Sequence, residues 1–181
     1  MIINGGFLTM GTKRVGMARV KSLINENVNQ LKLFKQEQIS LVHSDASNHA
    51  LTEAQSGAVL FWTHGSAHDI TLPDAKAGMH FKFVLTVGSA HAQNIVSQAS
   101  DKIYGKVVVS RTGATVNKIG GQTVAKGGGQ DKIKLKSDDT TLGGSAGDVI
   151  ELYCYEDGYW NCDARLTLTG HNPGTTAVID N

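Results

Sequence analysis

The first part of the chain carries apolar residues at helical spacing. They recur every three or four positions, which places them on one face of a helix. The residues in this stripe are Met17, Val20, Ile24, Val28 and Leu31. The pattern predicts a helix over residues 15–30. Three asparagines between positions 25 and 29 compete for backbone hydrogen bonds, so such a helix needs packing to hold it.

After this helix the apolar period changes to two. Leu31 and Leu33, and then Ile39 and Leu41, alternate with polar residues, which indicates extended chain. Residues 1–48 are therefore predicted to form an N-terminal arm, helical over residues 15–30 and extended after that.

Residues 49–170 show period-two alternation in short runs. The clearest run places Met79, Phe81, Phe83 and Leu85 on one parity and polar residues between them. Glycine, serine, asparagine and aspartate separate about eight such runs, and no helical pattern lies among them. The predicted strands are 79–87, 103–109, 132–136, 149–155 and 160–168, with shorter runs at 59–63 and 70–72. This pattern predicts a mainly β domain, an antiparallel β-sandwich, jelly-roll-like or barrel fold, followed by a tail at 171–181.

A simple two-residue turn does not place the apolar residues of the last two predicted strands on the same face of the sheet. A two-residue turn at Asp157-Gly158 would put their apolar sets on opposite faces. An odd loop or a one-residue bulge near Gly158 restores agreement and sets Cys154 opposite Cys162. Opposed strand Cβ atoms are farther apart than a disulfide allows, so we expect two buried, reduced thiols.

One short motif occurs twice. Gly65-Ser66-Ala67-His68 returns as Gly88-Ser89-Ala90-His91, at an offset of 23 residues, but the flanking residues do not continue the match. A solenoid needs at least three copies, so from the sequence alone we interpret the pair as coincidence.

Composition narrows the class of function. The 181 residues carry 17 Lys+Arg and 16 Asp+Glu, for a formal net charge of +1, which disfavours a dedicated nucleic-acid binder. No apolar stretch is long enough to cross a membrane and no signal peptide is evident. We therefore expect cytosolic synthesis and no membrane partner.

Catalytic and metal-binding patterns are weak. His64 and His68 have the spacing of two ligands on a helix, but Gly65-Ser66 between them marks a turn. The Gly-rich stretches at 120–129 and 143–147 lack the order of a phosphate loop, and Asp138, Asp139 and Asp157 lie in predicted turns. We expect no enzyme activity, no metal and no cofactor.

Two further features indicate binding. Aromatic residues on the strands could build a sugar-stacking platform, although strand aromatics are more often core or subunit contacts. They are Trp62, Tyr153, Tyr155, Tyr159 and Trp160. The arm adds basic residues, Arg14 and Arg19 among them, to its apolar stripe. These seven arm residues, Arg14, Met17, Arg19, Val20, Ile24, Val28 and Leu31, are predicted to contact a partner or another subunit.

The order of strand and turn residues between positions 51 and 168 resembles a known group of proteins. Its elements are Leu51-Thr52, Ser56-Gly57, Ile70-Thr71-Leu72-Pro73, Ala75, Gly78, Phe81, Phe83, 101–105, 147–152, Asp157-Gly158 and Trp160. This order is similar to small β-rich structural domains of tailed-bacteriophage virions, found in capsid cement or decoration proteins and in tail or fibre parts. The arm lies outside the resemblance.

The resemblance implies a non-enzymatic building block, commonly a homotrimer. We expect a cement or decoration protein on the capsid surface of the virion, with the major capsid protein as partner and the arm as clamp. A phage tail or fibre component and a glycan-binding β module are the alternatives. Copies repeated over a shell would add avidity without any chemistry.

Overall fold

The structure is a computed structural model that describes residue 20 and residues 38–41, 47–63, 65–88, 90–111, 119–138, 142–168 and 178–180. The chain divides into two compact units, Met1–Gln36 and Glu37–Asn181. The predicted helix 15–30 falls in the first unit and lies outside the described residues except for Val20, whose side chain is 50% exposed.

The second unit is mainly β, as predicted. The described residues form one short 3₁₀ helix, Glu53–Gln55, and twelve strands. The strands are β1 (Gln38–Leu41), β2 (His49–Ala50), β3 (Val59–Trp62), β4 (His68–Thr71), β5 (His80–Leu85), β6 (Gln93–Val96), β7 (Lys102–Arg111), β8 (Ile119–Val124), β9 (Lys132–Leu135), β10 (Val149–Glu156), β11 (Tyr159–Leu168) and β12 (Ile179–Asp180). The runs predicted within residues 49–170 all contain strands, whereas β2, β6, β8 and β12 were not predicted.

The strands form two mixed sheets. One has seven strands in the order β1-β3-β5-β10-β11-β7-β8, and the other has five in the order β12-β9-β6-β4-β2. The prediction of purely antiparallel pairing is wrong, because β1 with β3, β3 with β5, β7 with β11, β2 with β4 and β4 with β6 are parallel. Alternation reports which face of a strand is buried and carries no information on the direction of its neighbour.

The parallel pairs arise because the chain passes back and forth between the sheets. Strands β1, β3 and β5 lie in the larger sheet, and the intervening β2, β4 and β6 lie in the smaller one. Each of these strands therefore runs in the same direction as the previous one in its sheet, whereas β9, which follows β7 and β8, is antiparallel to β6.

The motif that occurs twice follows this path. Val59 pairs with Lys82 and Trp62 with Leu85, a register of 23 residues, which equals the offset between the two Gly-Ser-Ala-His copies. A Cβ built on Gly65 would lie 3.8 Å from the carbonyl oxygen of Gly88. The equivalence does not extend along the motif, because His68 pairs with Gln93 and not with His91.

The hairpin β10–β11 sits in the middle of the larger sheet. It lies between β5 and β7. Leu152 of β10 is opposite Phe81 of β5, and Trp160 of β11 is opposite Ile103 of β7. The predicted irregularity is confirmed: the turn at Asp157-Gly158 has two residues, and the register shifts between Tyr153 and Glu156. The bulge keeps both apolar sets on one face.

The two cysteines are not directly opposed, contrary to the prediction. Leu152 pairs with Cys162, so Cys154 lies two positions further along the strand. Both thiols are free and buried, as expected. Burial raises the pKa of each of them, despite the hydrogen bond that Cys154 Sγ makes to the carbonyl oxygen of Glu156 at 3.1 Å.

One hydrophobic core draws on both sheets. The larger sheet contributes Trp62, Phe83 and Trp160, all with no exposed surface, and the smaller sheet contributes Ile70 and Ile95. Full burial of a side chain of this size is worth about 1.5–3 kcal/mol. The core, rather than any cross-link among the described residues, stabilises the β unit.

Strands at both ends of the chain extend the predicted domain. Strand β1 lies within residues 1–48 and pairs with β3, and β12 lies within residues 171–181 and pairs with β9. The side-chain amide of Gln122 joins this edge: it donates to the Ile179 carbonyl at 2.7 Å and accepts from the Ile179 N–H at 2.8 Å. Val178 and Ile179 are buried.

Candidate functional site

The surface of the seven-stranded sheet that faces away from the core is the candidate site. Its residues alternate with buried ones along β5, β7, β10 and β11, and we call this surface the outer face. It comprises His80, Lys82, Val84, Lys102, Tyr104, Lys106, Val108, Val149, Glu151, Tyr153, Tyr155, Tyr159, Asn161, Asp163 and Arg165.

The register arranges these residues in rows across the strands. One row runs Lys82, Glu151, Asp163, Lys106, and the next runs Val84, Val149, Arg165, Val108. The first row is charged throughout. The second is apolar except for Arg165, and Val108 in it is 45% exposed.

Glu151 is held by two hydrogen-bond partners. Lys82 Nζ lies 2.8 Å from Glu151 Oε1, and the Tyr153 hydroxyl donates to Glu151 Oε2 at 2.6 Å. The bond from Lys82, followed by that from Tyr153, lowers the pKa of Glu151. The same carboxylate raises the pKa of Tyr153 to about 12. Glu151 is thus held as a carboxylate and Tyr153 as a phenol.

Aromatic rings form a ladder at one end of the outer face. The centroids of Tyr153 and Tyr155 are 6.2 Å apart with an angle of 16° between the rings, and His80 stacks on Tyr153 at the same distance. Tyr155 is 70% exposed. A second group lies nearby: Tyr104 contacts Tyr159 edge to face at 6.4 Å, and Lys126 lies 4.7 Å above the Tyr159 ring.

Shallow depressions adjoin one another in the middle of the outer face. Asp163 lines the first and second of three, Val108 the second and third, and Arg165 the first and third. Gly105 contributes to the second, where the strand has no side chain to fill it. The surface is therefore an open, mixed-charge face with a few apolar side chains, a shape suited to a broad contact.

The five aromatic residues weighed as a sugar-stacking platform divide between the core and the outer face. Trp62 and Trp160 are fully buried, so neither can stack on a ligand. Tyr153, Tyr155 and Tyr159 lie on the outer face. The signal that separates them was present in the sequence, since Trp160 shares its parity with Cys162 and Ala164.

The two histidines considered as metal ligands are not brought together by a helix. His64 lies outside the described residues. His68 is buried in β4, where its Nδ1 lies 2.9 Å from the Ser66 carbonyl oxygen and its ring is 5.0 Å from that of Trp62. The described part of the chain contains no group of three or more His, Cys, Asp or Glu residues that could hold a metal ion.

The predicted partner-contact residues lie in the arm. Arg14, Met17, Arg19, Ile24, Val28 and Leu31 lie outside the described residues. Val20 is described and half exposed.

Several residues that carry the resemblance secure one loop. The loop spans residues 72–79, and Asp101 Oδ2 accepts from the Ala75 N–H at 2.7 Å while Asp157 Oδ1 accepts from the Ala77 N–H at 2.8 Å. The Gly158 N–H donates to the Ala75 carbonyl at 2.9 Å. Sequence reasoning gave Asp157 a local turn role, whereas its partner is 80 positions away.

No protein-family model, curated protein or solved structure matches the chain. Among the described residues no helix is long and apolar enough to span a membrane.

Proposed function

We propose that this chain is a structural protein of a tailed-bacteriophage virion, a cement or decoration protein that binds the outside of the head shell. It is synthesised in the host cytoplasm, acts without catalysis, and contacts the major capsid protein and further copies of itself, as a homotrimer. The observation that carries the proposal is the outer face, a broad strand surface with exposed Tyr155 and Val108.

Two sequence features support the same proposal. The turn order between residues 51 and 168 resembles virion β domains, and Asp101, Asp157 and Gly158 from that order anchor the 72–79 loop. The arm joins an apolar stripe to basic residues, a combination suited to docking on another protein.

We further propose that the two sheets pack as a jelly-roll-like β-sandwich. Strands of both sheets contribute to one buried cluster, with Ile133 and Leu135 from the smaller sheet and Leu152 and Trp160 from the larger. Inward-facing residues alternate with outward-facing ones in β5, β10 and β11, the arrangement found in sandwiches.

Immunogold electron microscopy of virions tests the location. Antibody against this chain should label heads evenly if the protein is a cement protein. Label confined to tails would replace the proposal by the alternative of a tail or fibre component. Absence of label from all particles would reject both.

Deletion of residues 1–36 tests the arm. The compact β unit begins at Glu37, so the deletion leaves every described strand in place. We expect the truncated protein to remain folded and to lose binding to purified heads, measured by cosedimentation against the full chain. Binding that survives the deletion at full strength would contradict the clamp role of Arg14, Arg19 and the apolar stripe.

A glycan-binding module is the second candidate, favoured by the exposed ring of Tyr155 beside Tyr153. Sugar binding should then fall on Tyr155→Ala, which removes a stacking surface. The matched control is Tyr104→Ala, in the second aromatic group. A wild-type chain that binds no glycan on an array would remove this candidate.

A further inference from the structure

Two opposite charges lie next to each other on the outer face, and neither forms an ion pair with another described residue. Asp163 and Arg165 are exposed and lie two positions apart on the same side of β11. The ion pairs among the described residues are formed by Lys76, Lys82, Lys126, Lys134 and Lys136 with acids other than Asp163. Arg165 lowers the pKa of Glu151 through space, but it contributes less to this shift than Lys82 and Tyr153 do.

We propose that the outer face binds the outer face of a second copy of this chain around a two-fold axis that crosses β11 at Ala164. Asp163 of each copy then meets Arg165 of the other, and both charges find partners.

The spacing of the charges is what selects this symmetry. In a two-fold interface a residue i that contacts j is matched by j contacting i. Residues two apart on a strand are separated by roughly 6.6 Å. An axis that lies in the plane of the interface, perpendicular to β11 and over Ala164, exchanges the positions of Asp163 and Arg165. Like charges would face each other if the axis ran along β11 instead. The pair is therefore self-complementary in one orientation.

The surroundings supply apolar contact for the same arrangement. Val108 is the register neighbour of Arg165 on β7, and the axis brings it over Lys106 of the second copy, whose aliphatic stem can cover it. Four strands about 4.8 Å apart and eight residues long span roughly 500 Å² of plane. The accessible surface of so corrugated a face is larger and approaches the ~800 Å² that each partner contributes to a standard interface.

This contact assigns the outer face to a second copy and leaves binding of the shell to the arm. It goes beyond the proposed function and does not depend on it, because it needs neither a shell nor the arm. If the chain also forms trimers, the two-fold contact joins them in pairs. An even-numbered assembly, dimer or hexamer, is the expected state in solution.

Sedimentation equilibrium of the full chain and three charge variants tests the proposal. Asp163→Arg and Arg165→Asp each place like charges across the axis and should raise the dissociation constant by about tenfold or more, which halves the assembly. The double variant Asp163→Arg/Arg165→Asp exchanges the two charges and keeps the pairs, so it should return association to within about threefold of the wild type.

Asp74→Arg is the matched control. Asp74 is exposed in the 72–79 loop, away from the axis, and its reversal changes the net charge as much as Asp163→Arg does. Circular dichroism checks that every variant is folded. A wild-type monomer, an assembly unaffected by the single reversals, or a double variant as weak as the single ones would overturn the proposal.

Discussion

Tyr153 shows how one hydrogen bond on the outer face links two ionisable groups. Its hydroxyl donates to Glu151, whose other oxygen is 2.8 Å from Lys82. The bond favours the neutral phenol and the charged carboxylate together. These three residues come from two neighbouring strands, and the contact of Lys82 with Glu151 depends on the register of β5 against β10.

The raised pKa of Tyr153 predicts an alkaline loss of stability. A group whose pKa rises from 10.0 to about 12 on folding contributes stability that is complete below pH 10 and is lost as the pH rises towards 12. Tyr153→Phe should remove this step from the pH dependence of the melting temperature. In the wild type, phenolate absorbance should show one tyrosine titrating near 12, and that component should vanish in the variant.

Tyr155→Phe is the control for this prediction. It removes a neighbouring hydroxyl and keeps the bond from Tyr153 to Glu151, so the alkaline step should persist. An identical pH profile for the wild type and Tyr153→Phe would show that the bond is absent in solution.

The buried Asp148 makes a connection between two segments that the residue types alone did not reveal. Asp148 Oδ2 accepts from the N–H groups of Gly144, Ser145 and Thr167 at 2.9–3.0 Å, which joins the turn before β10 to the end of β11. Burial nevertheless raises the pKa of this carboxyl against the effect of those bonds. The sequence indicates turn residues here, but not which distant backbone each one holds.

The pairing of β7 with β11 depends on a missing side chain. Gly105 has a φ of +129°, and a Cβ at this position would lie 2.1 Å from the carbonyl oxygen of Cys162 on β11. Neither the conformation nor the approach suits any other residue. The glycine therefore allows the longest parallel pair of the larger sheet to form.

Gly105→Ala should destabilise the β unit by more than about 2 kcal/mol, because β11 must shift to relieve the contact. Urea unfolding followed by tryptophan fluorescence measures this loss, since Trp62 and Trp160 are both buried. Gly127→Ala is the comparison: Gly127 also has a positive φ, of +87°, but no atom lies within 4 Å of its added Cβ. The free energy of unfolding of Gly127→Ala should fall by only about 1–2 kcal/mol. Equal losses would mean that the close approach has no effect.

Strands were predictable where apolar and polar residues alternate in the sequence and unpredictable where they do not. Phe81 and Phe83 identified β5, while β8 contains Gly120 and Gly121 and offers no alternation. The direction of neighbouring strands could not be predicted, because it depends on how the chain alternates between the two sheets. The outer-face residues of β10 and β11 could be identified by parity, but the meeting of Lys82 with Glu151 and Tyr153 required the register of β5 against β10.

Considered as a whole, the β unit extends beyond residues 49–170. Strand β1 begins at Gln38, and Val178 and Ile179 are buried near the other end. Both added strands lie at sheet edges, with β1 next to β3 and β12 next to β9. A fragment without them exposes new edges and apolar surface.

A fragment of residues 37–181 should therefore melt higher than one of residues 49–170, by more than about 5 °C. Scanning calorimetry provides the comparison. Fragments 37–170 and 49–181 separate the effects of the two ends, and we expect the loss of Val178 and Ile179 to account for most of the difference. Equal melting temperatures for all four fragments would restore the narrower boundaries.

The central place of the β10–β11 hairpin also affects how the protein is made. Strands β5 and β7 leave the ribosome early, yet the hairpin that separates them ends only at Leu168. Until then two strand edges face an empty space in which Phe81, Phe83 and Ile103 have no covering neighbour. Folding of this sheet during synthesis must wait until the chain has been made as far as Leu168. A nascent chain that stalls before Val149 presents a sheet with its middle missing, a state suited to capture by chaperones or by another unfinished copy.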